Sequence, residues 1–355
     1  MKEFLLGVLL ITSTSMLIAG EFTGDRFIDD GFAGRSAVHA PNAMVATSQP
    51  LATQAAIEIL HAGGSAVDAA IAANAVLAVV DPAAAGIGGD LFAIVWDPAS
   101  EQLHGLNASG RSPTGFSLAE LRVQLGSRDT LPMYGPLTLT VPGAIDGWFE
   151  LHEKFGSLSM AKVLAPAIRY AREGVPVPEY AAWLWQYGIG KLEQASEMTG
   201  KLDNLRRTFL IDGKPPTTGQ LFRNPDLATT YELLAVTGRD VFYNGAIART
   251  IIEYLTKVGG NLSAADLRNH RSQWVAPVSV NYRGYDVFQI PPNGQGLTVL
   301  QMLNILEGFD VASMGYKNPD YWHVLVEAKK LAFSDREAYV ADPDYIDVPI
   351  EGLLS

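Results

Sequence analysis

The sequence predicts an α+β protein, with helices laid over antiparallel strands, and three observations carry that expectation. Two capped helical stretches follow one another before residue 81. An alternating strand, "LFAIVWD", is followed across a turn by a second one, "LHGLNAS". A further hairpin, "VSVNYRGYDVFQI", stands among helical segments.

The elements follow in order. In "PLATQAAIEILHAGG", Leu51, Ala55, Ile59 and Leu60 share one helical face, and Gly63-Gly64 supplies a stop. Ser65 and Asp68 then form the Ser-x-x-Asp start of a second helix, "SAVDAAIAANAVLAVV". Its face of Ala66, Ala69, Ala70, Ala73, Val76, Leu77 and Val80 is built of small residues, which predicts close packing on the "LFAIVWD" strand. Asp81-Pro82 ends that helix, and Asp97-Pro98 starts the turn between the first two strands. Helical patterning recurs near residues 144–154, 161–172, 181–192, 226–236, 246–258, 297–306 and 321–339. The stretch 161–258 predicts a helical lobe. The last hairpin turns at Arg283-Gly284.

Composition excludes several functions. With 355 residues, 48% hydrophobic and 18% charged, the chain can bury a large core. A net charge of −12 argues against a surface that tracks phosphates. No cysteine is present, so thiolate nucleophiles and cysteine-bound metals are ruled out. Residues 1–20, "MKEFLLGVLLITSTSMLIAG", place Lys2 before an apolar run and a small-residue end, the pattern of a secretory signal. Thr12-Ser13-Thr14-Ser15 interrupts the run, which argues against a bilayer span. Residues 21–43 are polar and aperiodic and read as a linker into a folded domain over 44–355.

Candidate sites are few. The glycine loop "GIGGD" follows a helix and feeds a strand, the reverse of a phosphate cradle, so close backbone packing is its expected role. The histidines at 39, 61, 104, 152, 270 and 323 show no metal-ligand spacing. The acidic run "ADPDYIDVP" lacks a calcium-binding loop and reads as a turn with Asx caps. Trp183, Trp185 and Tyr187 are expected to pack inward or against a partner. No metal or cofactor is called for, and no nucleophile has a base beside it. The oddest stretch is "HGLNASGRSP", where Arg111 stands among small residues with no neighbouring carboxylate.

In order and spacing, "MVATSQPLATQAAIEILHAGGSAVDAAIAANAVLAVVDPAAAGIGGDLFAIVWD", "VPGAIDGWFELHEKFG", "LAPAIRYAREGVPV", "PPNGQGLTVLQMLNILEGFD" and "EAKKLAFSDREAYVADPDYIDVP" resemble the gamma-glutamyltransferase family, from about Met44 to the C-terminus. The resemblance implies the large-subunit portion of an N-terminal-nucleophile hydrolase, a four-layered αββα sandwich. In that family a precursor cuts itself, and the exposed threonine of the small subunit attacks an amide with its own α-amine as base. The acyl group then passes to water or an amine. The implied partners are the small subunit and a gamma-glutamyl or other acyl amide. The nucleophile would lie downstream of this chain, and the large subunit taken alone would leave an apolar face or sheet edge uncovered.

The family's large-subunit contact is an arginine in a motif of the type Asp/Asn-x-Arg-Glu-x-Ala-Pro, whose fork grips the substrate carboxylate. Aligning on Leu106, Asn107 and Pro113 puts Ser109 at that position, with Arg111 two residues later. Two residues along a strand shift a side chain by roughly 6.6 Å and keep it on one face. Arg111, Ser109 and Asn107 are therefore the expected substrate-binding residues. The other role for Arg111 is to tie its turn to a backbone carbonyl. The "LNxSGRxP" pattern is that of a branch related to β-lactam acylases. Three functions stay open: a gamma-glutamyl hydrolase or transferase, an acylase for other amides, and a scaffold that binds without reacting.

Overall fold

The computed structural model describes residues 28–29, 32–33, 37–194 and 202–355. The signal expected over residues 1–20 lies outside them, as does part of the linker. The chain divides into two units, the second of which is Val45–Ser355. In the first, the two-residue strands Ile28–Asp29 and Phe32–Ala33 pair antiparallel, and residues 37–40 carry no regular structure.

In the second unit, the helix Pro50–His61 is followed by the alanine-rich helix Ala66–Val80. The expected capping box is present: Asp68 N–H donates to Ser65 Oγ at 3.1 Å, and Ser65 N–H donates to Asp68 Oδ2 at 2.9 Å. The fully buried Asp68 carboxylate also accepts from Ser157 N and Leu158 N, at 2.8 and 3.1 Å. It thus pins a distant loop to the helix start.

The packing of this second helix differs from expectation. It lies chiefly between Pro50–His61 and Met160–Glu173, with Ala144–Phe155 also against it, rather than on the strand "LFAIVWD". The reason is in its composition. Of the predicted face, Ala66 and Ala70 are exposed and Leu77 is half-buried, whereas Val67, Ile71, Ala72, Ala75 and Val79 are buried, so small apolar residues lie on nearly every side of the helix and its periodicity does not fix which side is covered.

The helix on the sheet is Ala144–Phe155. Gly147 lets it approach: a Cβ there would lie 2.7 Å from Ala108 Cβ and 3.0 Å from Leu91 Cδ2. Trp148 Nε1 donates to Asn74 Oδ1 at 2.8 Å and ties it to the alanine-rich helix.

The central sheet has three antiparallel strands in the order Leu91–Asp97, Gln102–Ala108, Gln273–Val275. The first pair runs in full register from Leu91 opposite Ala108 to Asp97 opposite Gln102. The third strand sets Asn107 opposite Gln273. Leu91, Ala93 and Val95 face the core. On the other face Phe92, Ile94 and Trp96 are 45%, 39% and 56% exposed, on an edge strand. A seven-residue apolar edge left open in this way is a surface built to be covered.

The helical lobe is narrower than the stretch 161–258. Its separate core is Val177, Ala181, Ala182, Trp185, Ile189 and Phe222, whereas Val163, Leu164, Tyr231 and Leu234 belong to the main core. Of Trp183, Trp185 and Tyr187, Trp185 alone packs inward, donating from Nε1 to Phe209 O at 3.1 Å. Trp183 and Tyr187 stack on each other at the surface with centroids 5.8 Å apart.

The hairpin Val278–Tyr282/Tyr285–Gln289 turns through Arg283 and Gly284, both at positive φ, and packs under Gly296–Glu307. Among the described residues no helix is long and apolar enough to cross a membrane.

Candidate active site

The strand Gln102–Ala108 runs out where Arg111 begins to matter. The loop after it is held by backbone contacts that only glycine allows. A Cβ on Gly110 has no room beside the Val141 carbonyl, and one on Gly143 has none beside Ala108 O. Val141 N–H donates to Arg111 O at 3.0 Å, and Gly110 N–H donates to Asp90 Oδ1 at 3.1 Å. The Gly89 carbonyl accepts from Gly143 N and Ala144 N, at 3.0 and 2.9 Å. "GIGGD" therefore serves backbone packing, and it fixes the loops "SGR" and "VPG" against each other.

On this rigid loop the polar side chains meet in a network. Ser109 Oγ donates to Asn107 Oδ1 at 2.8 Å and accepts from Asn293 Nδ2 at 3.0 Å, while Asn107 Nδ2 donates to Asn293 Oδ1 at 2.7 Å. Arg111 reaches the other way. Its Nη1 donates to Asp342 Oδ2 at 3.0 Å and its Nη2 to Asp344 Oδ2 at 2.6 Å. The acidic run is an Asx turn as expected, since Asp344 N–H donates to Asp342 Oδ1 at 3.0 Å. Together these segments line an open cavity of about 730 Å³, with Arg271 and Gln273 on its wall.

Beneath lies a buried ion-pair cluster. Asp146, fully buried, accepts from Arg239 Nε and from Ser272 N and Oγ, at 2.5 and 2.6 Å. Arg239 Nη2 donates to His270 O at 2.6 Å. The His270 ring is buried against Tyr243, with centroids 5.4 Å apart, and its Nε2 is 3.8 Å from Asp146 Oδ2. Burial holds its pKa below the ordinary histidine value, and the neighbouring Asp146 opposes that shift. A cavity of about 180 Å³ beside it shares Arg111, Ser112, Arg271 and Gln273 with the larger one.

Asn107, Ser109 and Arg111 thus do come together in one cavity. The guanidinium of Arg111 meets neither an empty pocket nor a backbone carbonyl: its partners are two carboxylates 231 and 233 residues further along the chain. Sequence reasoning missed Asn293, Arg271 and the role of Asp342 and Asp344. The "PPNGQG" and "DPDYIDVP" blocks were visible signals for the first and last of these, and nothing local marks Arg271. Among the described residues the Ser109 hydroxyl is bonded only to the side-chain amides of Asn107 and Asn293, and neither of these is a base that could activate it.

An α+β fold with an open apolar strand face and a cavity of this kind defines the large-subunit part of the N-terminal-nucleophile hydrolase sandwich. More narrowly, the chain belongs to the gamma-glutamyltranspeptidase family, whose model matches residues 52–355. It is 38% identical over 312 residues to the glutathione hydrolase-like YwrD proenzyme of Bacillus subtilis, covering 88% of this chain and 57% of that protein. The cephalosporin acylase structure from Bacillus halodurans superposes with a TM-score of 0.80 at 42% identity, covering 87% of this chain and 56% of that one. The Helicobacter pylori gamma-glutamyltranspeptidase structure gives 0.80 at 29% identity, covering 90% of each chain. The chain spans a little over half the length of the curated relatives it matches.

Proposed function

We propose that this chain builds the larger part of an exported amide hydrolase or transferase that moves a gamma-glutamyl group from glutathione-like amides to water or an amine. The nucleophile is a threonine supplied by the small subunit of the same precursor after self-cleavage. The observation that carries this reading is half a site. Polar groups able to bind substrate converge in the cavity beside Asn107 and Ser109, while among the described residues no nucleophile with its base stands there. The open face of Phe92, Ile94 and Trp96 supports a second sheet laid on the first. The near-complete mutual coverage with one chain of the Helicobacter pylori enzyme, against little more than half of the YwrD proenzyme, supports a two-subunit product.

A second reading, an acylase for other amides, is favoured by one observation: Arg111 is already engaged by Asp342 and Asp344, and Ser109 offers no charge. The test is expression of the full-length precursor. Self-cleavage into two fragments, with release of aniline from a gamma-glutamyl anilide, supports the first reading. Cleavage with turnover of only neutral acyl anilides supports the second, and a precursor that neither cleaves nor reacts refutes both.

A further inference from the structure

The cavity holds two guanidiniums in different electrostatic states. Arg111 is paired with two carboxylates, one more negative charge than it balances. Arg271 donates through Nη1 to the backbone carbonyls of Arg268 and His270, at 3.0 and 2.5 Å, and among the described residues no carboxylate lies within ion-pair distance of it. Its charge is therefore uncompensated on the cavity wall, with Nε and Nη2 left to donate.

The sheet register says where that charge sits. Asn107 is opposite Gln273 and Leu106 opposite Trp274 in an antiparallel ladder. The ladder ends at that pair, so Ser109 and Arg271, each two residues beyond it, leave the sheet at the same end. Ser109 and Arg271 both line the cavity. The backbone on either side is held: Ser272 N and Oγ donate to the buried Asp146, and the Ser109 loop is packed on Val141. The cation is thus carried on a fixed stem.

We infer that Arg271, rather than Arg111, takes the free carboxylate of the substrate's acyl part, so that the preferred substrates are amides of dicarboxylic or amino-dicarboxylic acids. Arg111 instead clamps the Asp342–Asp344 turn over the cavity. Asp347, also on the wall and without an ion-pair partner among the described residues, opposes anion binding together with the surplus charge of the Asp342 and Asp344 carboxylates. This assignment rests on the amide-transfer reading for the word substrate, but the carboxylate site can be tested apart from it.

The experiment uses the full-length precursor and its Arg271→Gln, Arg271→Lys, Arg111→Gln and Asp347→Asn forms. Two anilides are compared, glutaryl and butanoyl, which differ by a terminal carboxylate. Arg271→Gln should raise KM for the glutaryl anilide by about ten-fold or more and leave kcat and the butanoyl anilide unchanged. Arg271→Lys should restore part of the loss, and Asp347→Asn should lower KM. Arg111→Gln should leave the preference intact. Binding of free glutarate, followed by titration calorimetry, should weaken to the same degree in Arg271→Gln. Equal effects of Arg271→Gln on both anilides, or loss of the preference in Arg111→Gln, overturn the assignment. If the wild type hydrolyses neither of these nor a gamma-glutamyl anilide, the amide reading fails, and glutarate binding still decides the role of Arg271.

Discussion

Replacing Asp146 with asparagine keeps the shape of the side chain and removes its charge, at a position with no solvent access. The carboxylate accepts from Arg239 on one oxygen and twice from Ser272 on the other. Asparagine has one accepting oxygen. If it turns that oxygen to Ser272, its NH₂ faces the Arg239 Nε–H, and two donors meet over a guanidinium that is only 18% exposed. Breaking a buried ion pair by removing one partner costs about 3–5 kcal/mol. Arg239 keeps its bond to His270 O and a weak one to Asp240, at 2.6 and 3.4 Å, so the lower end applies, about 3 kcal/mol. The assay is urea unfolding of the full-length protein, read as a shift in midpoint at constant slope. A cycle with Arg239→Gln should give a coupling of at least about 1.5 kcal/mol. A single variant within about 0.5 kcal/mol of wild type, or an additive double variant, refutes the idea that this pair anchors the loop.

Other expectations can be checked in parallel. Gly110→Ala forces a methyl onto the Val141 carbonyl, so soluble protein should fall sharply, or the free energy of unfolding should drop by about 3 kcal/mol. Ser65→Ala removes the cap of the alanine-rich helix and should cost about 1 kcal/mol by the same assay. His270 is buried, and its pKa is lowered by that burial. The unfolded chain then binds the proton more readily. The contribution is complete above the unfolded value of about 6.5 and is lost as pH falls from there toward the lower folded value. His270→Gln should flatten the stability profile just below about pH 6.5, and an unchanged slope rejects this account.

The longer elements were legible because several local signals agreed. The helices at 144–155, 160–173 and 225–237 begin and end within two residues of the apolar periodicity, and both hairpins turn where their turn residues stand. The short helices Leu118–Leu125 and Ala264–Asn269 escaped notice, although Ser117/Glu120 and Ser263/Asp266 form the same capping box as Ser65/Asp68. Leu118–Leu125 buries no residue at all, so it lacks the apolar stripe by which helices are found. The alanine-rich helix failed for the opposite reason: with apolar residues on nearly every side, its periodicity does not select a neighbour. At the site, Arg111 was conspicuous because nothing near it in the chain could pair with it. Its partners, like the Asn293 partner of Ser109, lie 184 to 233 residues away. Arg271 has meaning only through the pairing of Asn107 with Gln273, which brings its segment to the Ser109 loop, and register is a property of the pairing, not of either segment.

The glycine contacts behind the cavity have a consequence for how such a site can change over generations. Gly110 against Val141 and Gly143 against Ala108 press main chain on main chain, so neither position tolerates any side chain. Positions 109, 111 and 271 point from the same immobile frame and carry no such restriction. Selection acting on this wall can therefore exchange a hydroxyl for a cation, or move a cation from one strand to its neighbour, without rebuilding the frame. The fixed part of the site is then its glycines, and the substrate preference of any descendant is written in the side chains mounted around them.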